Sequence, residues 1–231
     1  CSAFLLSEMN TAIIVAAGSG ERFGSEIPKQ FIKINGKPVI VHTIERFQAA
    51  PSVDSIILVL AADRLAEYDA LRSEIPKLAG IVAGGKTRAE SVLNGLNAVG
   101  ETCELVAVHD GARPLVSVDE IERTIAQALK TGAACLVAPV TDTIKSIRGS
   151  EIAATLDRDK LRRALTPQAF RLDVLRRAFD LADLNEAVTD ECYLVEELGH
   201  PIAIVEGSSA NIKITHAADL AFAELLMRTL A

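Results

Sequence analysis

The sequence predicts an α/β fold: a mostly parallel sheet flanked by helices, with a β-hairpin arm protruding from it. Three observations carry this. Short aliphatic runs without polar alternation recur along the chain, as strands buried on both faces require. Segments with apolar residues at helical spacing lie between those runs, the order expected of a parallel sheet covered by helices. One stretch near residue 149 instead alternates polar and apolar residues around a glycine, which is a hairpin pattern.

Taken in order, residues 11–17 (TAIIVAA), 55–61, 80–83, 105–109 and 134–140 read as strands, and 38–49, 64–74, 87–99 and 117–131 as the helices between them. Thr87-x-x-Glu90 and Ser117-x-x-Glu120 are capping boxes, in which side chains satisfy the free backbone donors of a helix start. Residues 141–157 form the hairpin, turning at Arg148-Gly149-Ser150; such an insertion is a lid, an edge ribbon or an arm reaching another subunit. Helical spacing resumes at 171–181 and 190–198. Short strands are expected at 202–205 and 211–214, with Thr215 capping a last helix. Residues 1–10, with Met9 as an alternative start, are read as an N-terminal extension to a single domain over 11–231.

The chain has 231 residues, 49% of them hydrophobic, enough for a substantial core. Its 24 Lys and Arg against 31 Asp and Glu give a net charge of −7, which argues against a nucleic-acid or membrane-surface binder because both need an extended basic face. Aromatic residues are 4% with no Trp, too few for base-stacking platforms. Cys1, Cys103, Cys135 and Cys192 are far apart, as are His42, His109, His200 and His216. Neither set has zinc-ligand spacing or suggests a disulfide framework, so the expected compartment is the reducing cytoplasm. The apolar runs are too short to span a membrane, and the N-terminus has no signal-peptide pattern.

The first strand runs into VAAGSGERFG at 15–24. Small residues and glycines directly after a first strand let backbone N–H groups close around phosphate oxygens. The spacing is neither that of a Walker A loop nor of G-x-G-x-x-G, because Phe23 stands at the third glycine position. Two cations accompany the loop, Arg22 within it and Lys29 in PKQF beyond it. Such cations suit the charge that spreads over a phosphoryl group during in-line displacement.

A-A-G-x-G-x-R followed by P-K-Q resembles the Rossmann-like sugar nucleotidyltransferases. AGGKTRAESVLNGL (83–96), VHDGARP (108–114), APVTDTIK (138–145), TLDRDKLRRALTPQAF (155–170), VTDE (188–191) and NIKIT (211–215) narrow the resemblance to the 2-C-methyl-D-erythritol 4-phosphate cytidylyltransferase family. It runs in order from residue 11 to the C-terminus.

That resemblance implies transfer of the cytidylyl group of CTP to methylerythritol phosphate, with Mg²⁺ bound mainly through the CTP phosphates. Arg22 and Lys29 would stabilise the pentacoordinate transition state, while Arg158 and Lys213 hold the second substrate in line. Backbone at Ala16, Ala17, Gly18, Ser19 and Gly20 would cradle the nucleotide, with Gly85 and Ser91 near the cytosine. Asp110 and Gly111 would meet the ribose, and Asp110, Arg113, Thr143 and Thr166 the methylerythritol moiety. Direct protein ligands of the metal stay unassigned. The arm would embrace a second subunit, completing the site across a homodimer.

The chain departs from the family pattern at Gly111 and Lys86, at Cys192-Tyr193 and at Phe23. Three other readings remain open at this point: a ribitol-5-phosphate cytidylyltransferase, a non-catalytic nucleotide sensor, and an NAD-dependent oxidoreductase, the last disfavoured by Phe23. The reaction needs no activated Ser, Cys or His, because a phosphate monoester is already an anionic nucleophile near neutral pH.

Overall fold

The computed structural model of the protein describes residues 9–18, 28–184 and 188–229. The strands are β1 (Met9–Ala16), β2 (Lys33–Ile34), β3 (Lys37–Pro38), β4 (Ser55–Leu60), β5 (Leu78–Ala83), β6 (Cys103–Asp110), β7 (Ala133–Pro139), β8 (Lys145–Arg148), β9 (Glu151–Thr155), β10 (Arg162–Arg171) and β11 (Ala203–Glu206). The α-helices are α1 (Val39–Ala49), α2 (Leu65–Tyr68), α3 (Arg88–Asn97), α4 (Val118–Thr131), α5 (Leu172–Leu181), α6 (Glu191–Glu197) and α7 (Ala217–Thr229).

Seven strands form the main sheet in the order β11-β7-β10-β6-β1-β4-β5. All run in one direction except β10, which is antiparallel to both β6 and β7. Four of the five long aliphatic runs recognised in the sequence are central strands, covered on both faces; the fifth, at 80–83, is the partly buried edge strand β5. Ala12, Ile14 and Ala16 of β1 face one core with Ile40, Ile44 and Phe47 of α1 and Ile121 and Ile125 of α4. Ile13 points to the opposite core, with Val92 and Leu96 of α3, Leu175 of α5 and Val195 of α6. A smaller cluster joins Ala223 of α7 to Ile34, Val39, Leu115 and Ile214.

The helix starts follow their capping chemistry. Ser117 and Glu120 form the full reciprocal box at α4, and Gly132 ends that helix at φ +87°, a conformation that glycine adopts without a Cβ penalty. At α3, Thr87 accepts from the Glu90 N–H, but the Glu90 carboxylate takes the Lys86 N–H at 2.6 Å, so only half of the expected box forms there. The hairpin is β8 paired with β9, with Gly149 at φ +61° in its turn.

Four expectations need correction. The helix expected at 64–74 is broken into a 3₁₀ turn at Ala62–Arg64, the short α2, and a second 3₁₀ turn at Asp69–Ser73. Its ion pairs Arg64–Glu67 and Arg72–Asp69 are three residues apart, the spacing that eclipses side chains in a 3₁₀ helix. Strand β10 is absent from the sequence pattern, since Pro167 cannot donate to a ladder, and the pairing with β7 breaks its register between Ala164 and Gln168. Residues 211–214 are not a strand. They are tied to the sheet through the Ile214 N–H, which donates to the Ala112 carbonyl. The last helix begins at Ala217, and it is the Asp219 carboxylate, accepting from the N–H groups of Thr215 and His216, that caps it.

Candidate active site

The chain moves from β1 outward to β4 and β5, then returns to place β6 on the other side of β1. Ligands of open α/β sheets bind at the carboxyl ends of strands where the order reverses in this way. A cleft of about 650 Å³ opens there. Its floor is the end of β1, with Ala16, Ala17 and Gly18; its walls carry Lys29, Gly85, Ser91, Asp110 and Lys213. Eight residues marked above for one or other of the two substrates thus share one cavity.

Local hydrogen bonds shape both loops. The Gln30 amide donates to the Ala16 carbonyl at 2.8 Å and to the Gly18 carbonyl at 2.9 Å, pinning the end of β1 from beneath. In the second loop the Ser91 hydroxyl donates to the Thr87 carbonyl and accepts from the Gly85 N–H. Gly84 and Gly85 are needed for close approach: a Cβ on the first would overlap that of Ala17, and one on the second that of Glu90. Gly111 lies behind the cleft wall, where its N–H donates to the Val15 carbonyl and its carbonyl accepts from Thr43.

Asp110, at the end of β6, is the electrostatic hub. One of its oxygens, Oδ1, accepts from Arg88 Nε at 3.2 Å. The other, Oδ2, meets Lys213 Nζ at 3.0 Å and Arg113 Nε at 3.2 Å. Burial works to raise this carboxyl, but Arg88, Lys213 and Arg113 together outweigh it and hold it far below the usual carboxylate range. Arg113 is further tied to the Asn211 carbonyl, so it braces Asp110 from behind, outside the cleft lining.

Beneath Asp110 lies a buried chain of hydrogen bonds. The Asp110 N–H donates to Thr166 Oγ1, whose hydroxyl lies 3.0 Å from His109 Nδ1. His109 Nε2 lies 3.1 Å from the Arg113 carbonyl. A carbonyl only accepts, so the proton sits on Nε2 and Nδ1 accepts from Thr166. Burial pushes the His109 imidazolium down to about 3, and the ring packs against Phe47. Thr166 therefore spends its hydroxyl within this chain, below the cleft.

The structure does not bring every expected residue to the cleft. Arg158 stands exposed in a 3₁₀ turn at the base of the hairpin, donating to the Thr141 carbonyl at 2.8 Å. Thr143 is exposed just before β8, and neither residue lines the cavity. Ser19, Gly20 and Arg22, together with Phe23, lie outside the described residues. Sequence reasoning missed Gln30, Arg88 and Glu191. Gln30 sits inside the quoted PKQ motif, and Glu191 inside VTDE. Arg88 sits inside AGGKTRAESVLNGL, but at the first position of a helix it reads in sequence as an ordinary solvated cation.

The family model for 2-C-methyl-D-erythritol 4-phosphate cytidylyltransferase (IspD) matches residues 10–229. The chain belongs to this family. It is 42% identical over 222 residues to the IspD-family cytidylyltransferase of Syntrophus aciditrophicus, with 94% of this chain and 95% of that protein aligned. Among solved structures, it resembles the 4-diphosphocytidyl-2C-methyl-D-erythritol synthase of Anaerococcus prevotii, with a TM-score of 0.86, 30% identity and 96% of each chain covered. The Francisella tularensis IspD structure matches with a TM-score of 0.80 and 35% identity, covering 94% of this chain and 99% of that one. Membership of the IspD family makes the protein a CTP-dependent nucleotidyltransferase. It transfers the cytidylyl group of CTP to 2-C-methyl-D-erythritol 4-phosphate, giving CDP-methylerythritol and pyrophosphate in isoprenoid biosynthesis. No helix among the described residues is long and apolar enough to cross a membrane.

Proposed function

We propose that the cleft over β1 and β6 carries out this transfer, with CTP lying along the Ala16–Gly18 backbone and its base toward Gly85 and Ser91. The reading rests on the convergence of Lys29, Lys213 and the Asp110 hub upon two glycine-bearing loops in one cavity. An oxygen of the methylerythritol phosphate gives its electron pair to the α-phosphorus of CTP, and the bond from that phosphorus to the bridging oxygen breaks. Pyrophosphate leaves with the bonding pair. Lys29, and Arg22 by its family position, meet the charge that grows on the phosphoryl oxygens. Lys213 exchanges Asp110 for the incoming phosphate, and Arg158 and Thr143 are supplied by the arm.

Asp110 is the one carboxylate lining the cleft among the described residues. That donor set fits Mg²⁺ held mainly by phosphate oxygens, with Asp110 as its contact to the protein. When bound, the ion neutralises charge on the triphosphate. The arm exposes Ile147 (73%) and Ile152 (66%), apolar side chains that suit a subunit interface, and a homodimer would carry Arg158 and Thr143 to a neighbouring cleft. The buried thiols Cys103, Cys135 and Cys192 suit a reducing cytoplasm.

The test is Lys29→Ala, assayed by pyrophosphate release with CTP, Mg²⁺ and methylerythritol phosphate. Because its partner charge develops in the transition state, kcat should fall about a hundredfold or more while CTP affinity stays within about threefold. An unchanged kcat removes Lys29 from the step. Ribitol 5-phosphate in a parallel assay reports on selectivity for the acceptor.

A further inference from the structure

The transfer as described leaves one quoted motif without a part, VTDE at 188–191. Its Asp190 is accounted for structurally: one oxygen accepts from the Tyr193 N–H to cap α6, and the other from the Gln168 amide at 2.8 Å. Glu191 is different. Its side chain is fully buried, although α6 is already capped without it. Burying a carboxylate is costly unless it is paired, and burial pushes this one up against the opposing pull of Arg88. Only Oε1 is engaged, accepting from Arg88 Nη1 at 2.6 Å; Oε2 is buried without a hydrogen-bond partner.

Arg88 therefore has two anchors. One edge of its guanidinium is held by Glu191 and the other reaches Asp110 Oδ1. A planar guanidinium left to itself takes both oxygens of a carboxylate side by side. Here that arrangement is prevented, and Asp110 keeps Oδ2 for Lys213 and Arg113.

We propose that Glu191 is a positioning residue for the transfer, acting through Arg88 on Asp110. By clamping Arg88 at its far end, Glu191 confines it to Asp110 Oδ1. Asp110 Oδ2 then stays turned toward Lys213, whose flexible side chain is held at the cleft before the substrate phosphate arrives. Ordering that side chain in advance spares its entropy on binding. The proposal rests on the reading that Asp110 and Lys213 serve the methylerythritol phosphate.

Steady-state kinetics of Glu191→Gln, Arg88→Lys and the double variant test it. In Glu191→Gln a neutral amide replaces the charge that clamps Arg88, and in Arg88→Lys the ammonium cannot span both anchors. Each single variant should raise the KM for methylerythritol phosphate about tenfold with kcat within about twofold, and the double variant should be no worse than either single. Loss of folded protein alone would instead lower apparent kcat at unchanged KM, and that pattern overturns the proposal, as does an unchanged KM or an additive double variant. If Glu191→Gln does not fold, Arg88→Lys, at a partly exposed residue, decides by the same KM criterion. Asp110→Asn separates the two levels. If it leaves KM unaltered, the reading of Asp110 as a site residue fails; if it raises KM while the Glu191 and Arg88 variants do not, the positioning role alone fails.

Discussion

At the scale of single residues, the site is built by satisfying one buried carboxylate and one buried imidazole at neighbouring positions. Asp110 stays charged because three cations surround it, and His109 stays neutral because the same region excludes water. The second fact makes stability depend on pH. The folded protein holds His109 neutral down to about 3, whereas an unfolded histidine gains a proton below about 6.5. The unfolded state then binds more protons between those values, so the stabilisation present above pH 6.5 is lost as the pH falls, by about 1.4 kcal/mol per unit. Urea unfolding at pH 6.5 and pH 5 should show a loss of about 2 kcal/mol from this group. His109→Gln should flatten that dependence even if it lowers stability at both values; an unaltered slope would assign the loss elsewhere. The sequence marked Asp110 from its place in HDGARP, but held no sign of His109's role. A lone histidine in a strand carries no label for the hydroxyl and carbonyl that fix its tautomer.

At the scale of elements, the cleft depends on loops held from below. Gln30 is buried, and its two bonds to the Ala16 and Gly18 carbonyls are the described anchors of the first loop. Gln30→Ala should weaken CTP binding by about tenfold, on the order of one to two hydrogen bonds, with kcat for bound substrates less affected. Titration calorimetry with CTP checks this, and unchanged affinity would show that the loop holds its shape unaided. Continuous apolar strands, the α4 capping box and the hairpin turn at Gly149 were legible in the sequence, because each is dictated by local pattern or backbone chemistry. Strand β10 was not, since Pro167 interrupts its pattern and its pairing partners are remote in the chain. Lys213 was placed at the site by resemblance. What brings it there is irregular chain anchored through Ile214, which has no periodicity to detect.

At the scale of the whole molecule, a net charge of −7 coexists with a cleft lined, among the described residues, by Lys29, Lys86, Arg88 and Lys213 against the single carboxylate of Asp110. Local placement of charge, rather than the total, suits the cleft to polyphosphate substrates. The arm extends the same logic to assembly. If the proposed homodimer forms through the arm, replacing Ile147 and Ile152 together by Asp should lower the mass in light scattering from dimer to monomer without unfolding the chain, because both side chains are exposed in the single subunit; a monomeric mass for the unaltered protein would refute the dimer itself. Activity should fall with the dimer if Arg158 and Thr143 act across the interface. A dimeric mass retained by the double variant would place the interface elsewhere.

The reversal of β10 has a consequence for how this architecture can vary. Because β10 runs back beside β7, Pro139 and Arg162 stand opposite each other in the sheet, and the whole excursion that includes the hairpin leaves and returns at one rung of the ladder. Its ends are fixed whatever lies between them, and closing a longer loop costs only slowly more. The arm can therefore be lengthened, trimmed or reshaped without disturbing the register of any strand in the main sheet, so the shape of the hairpin is uncoupled from that of the cleft.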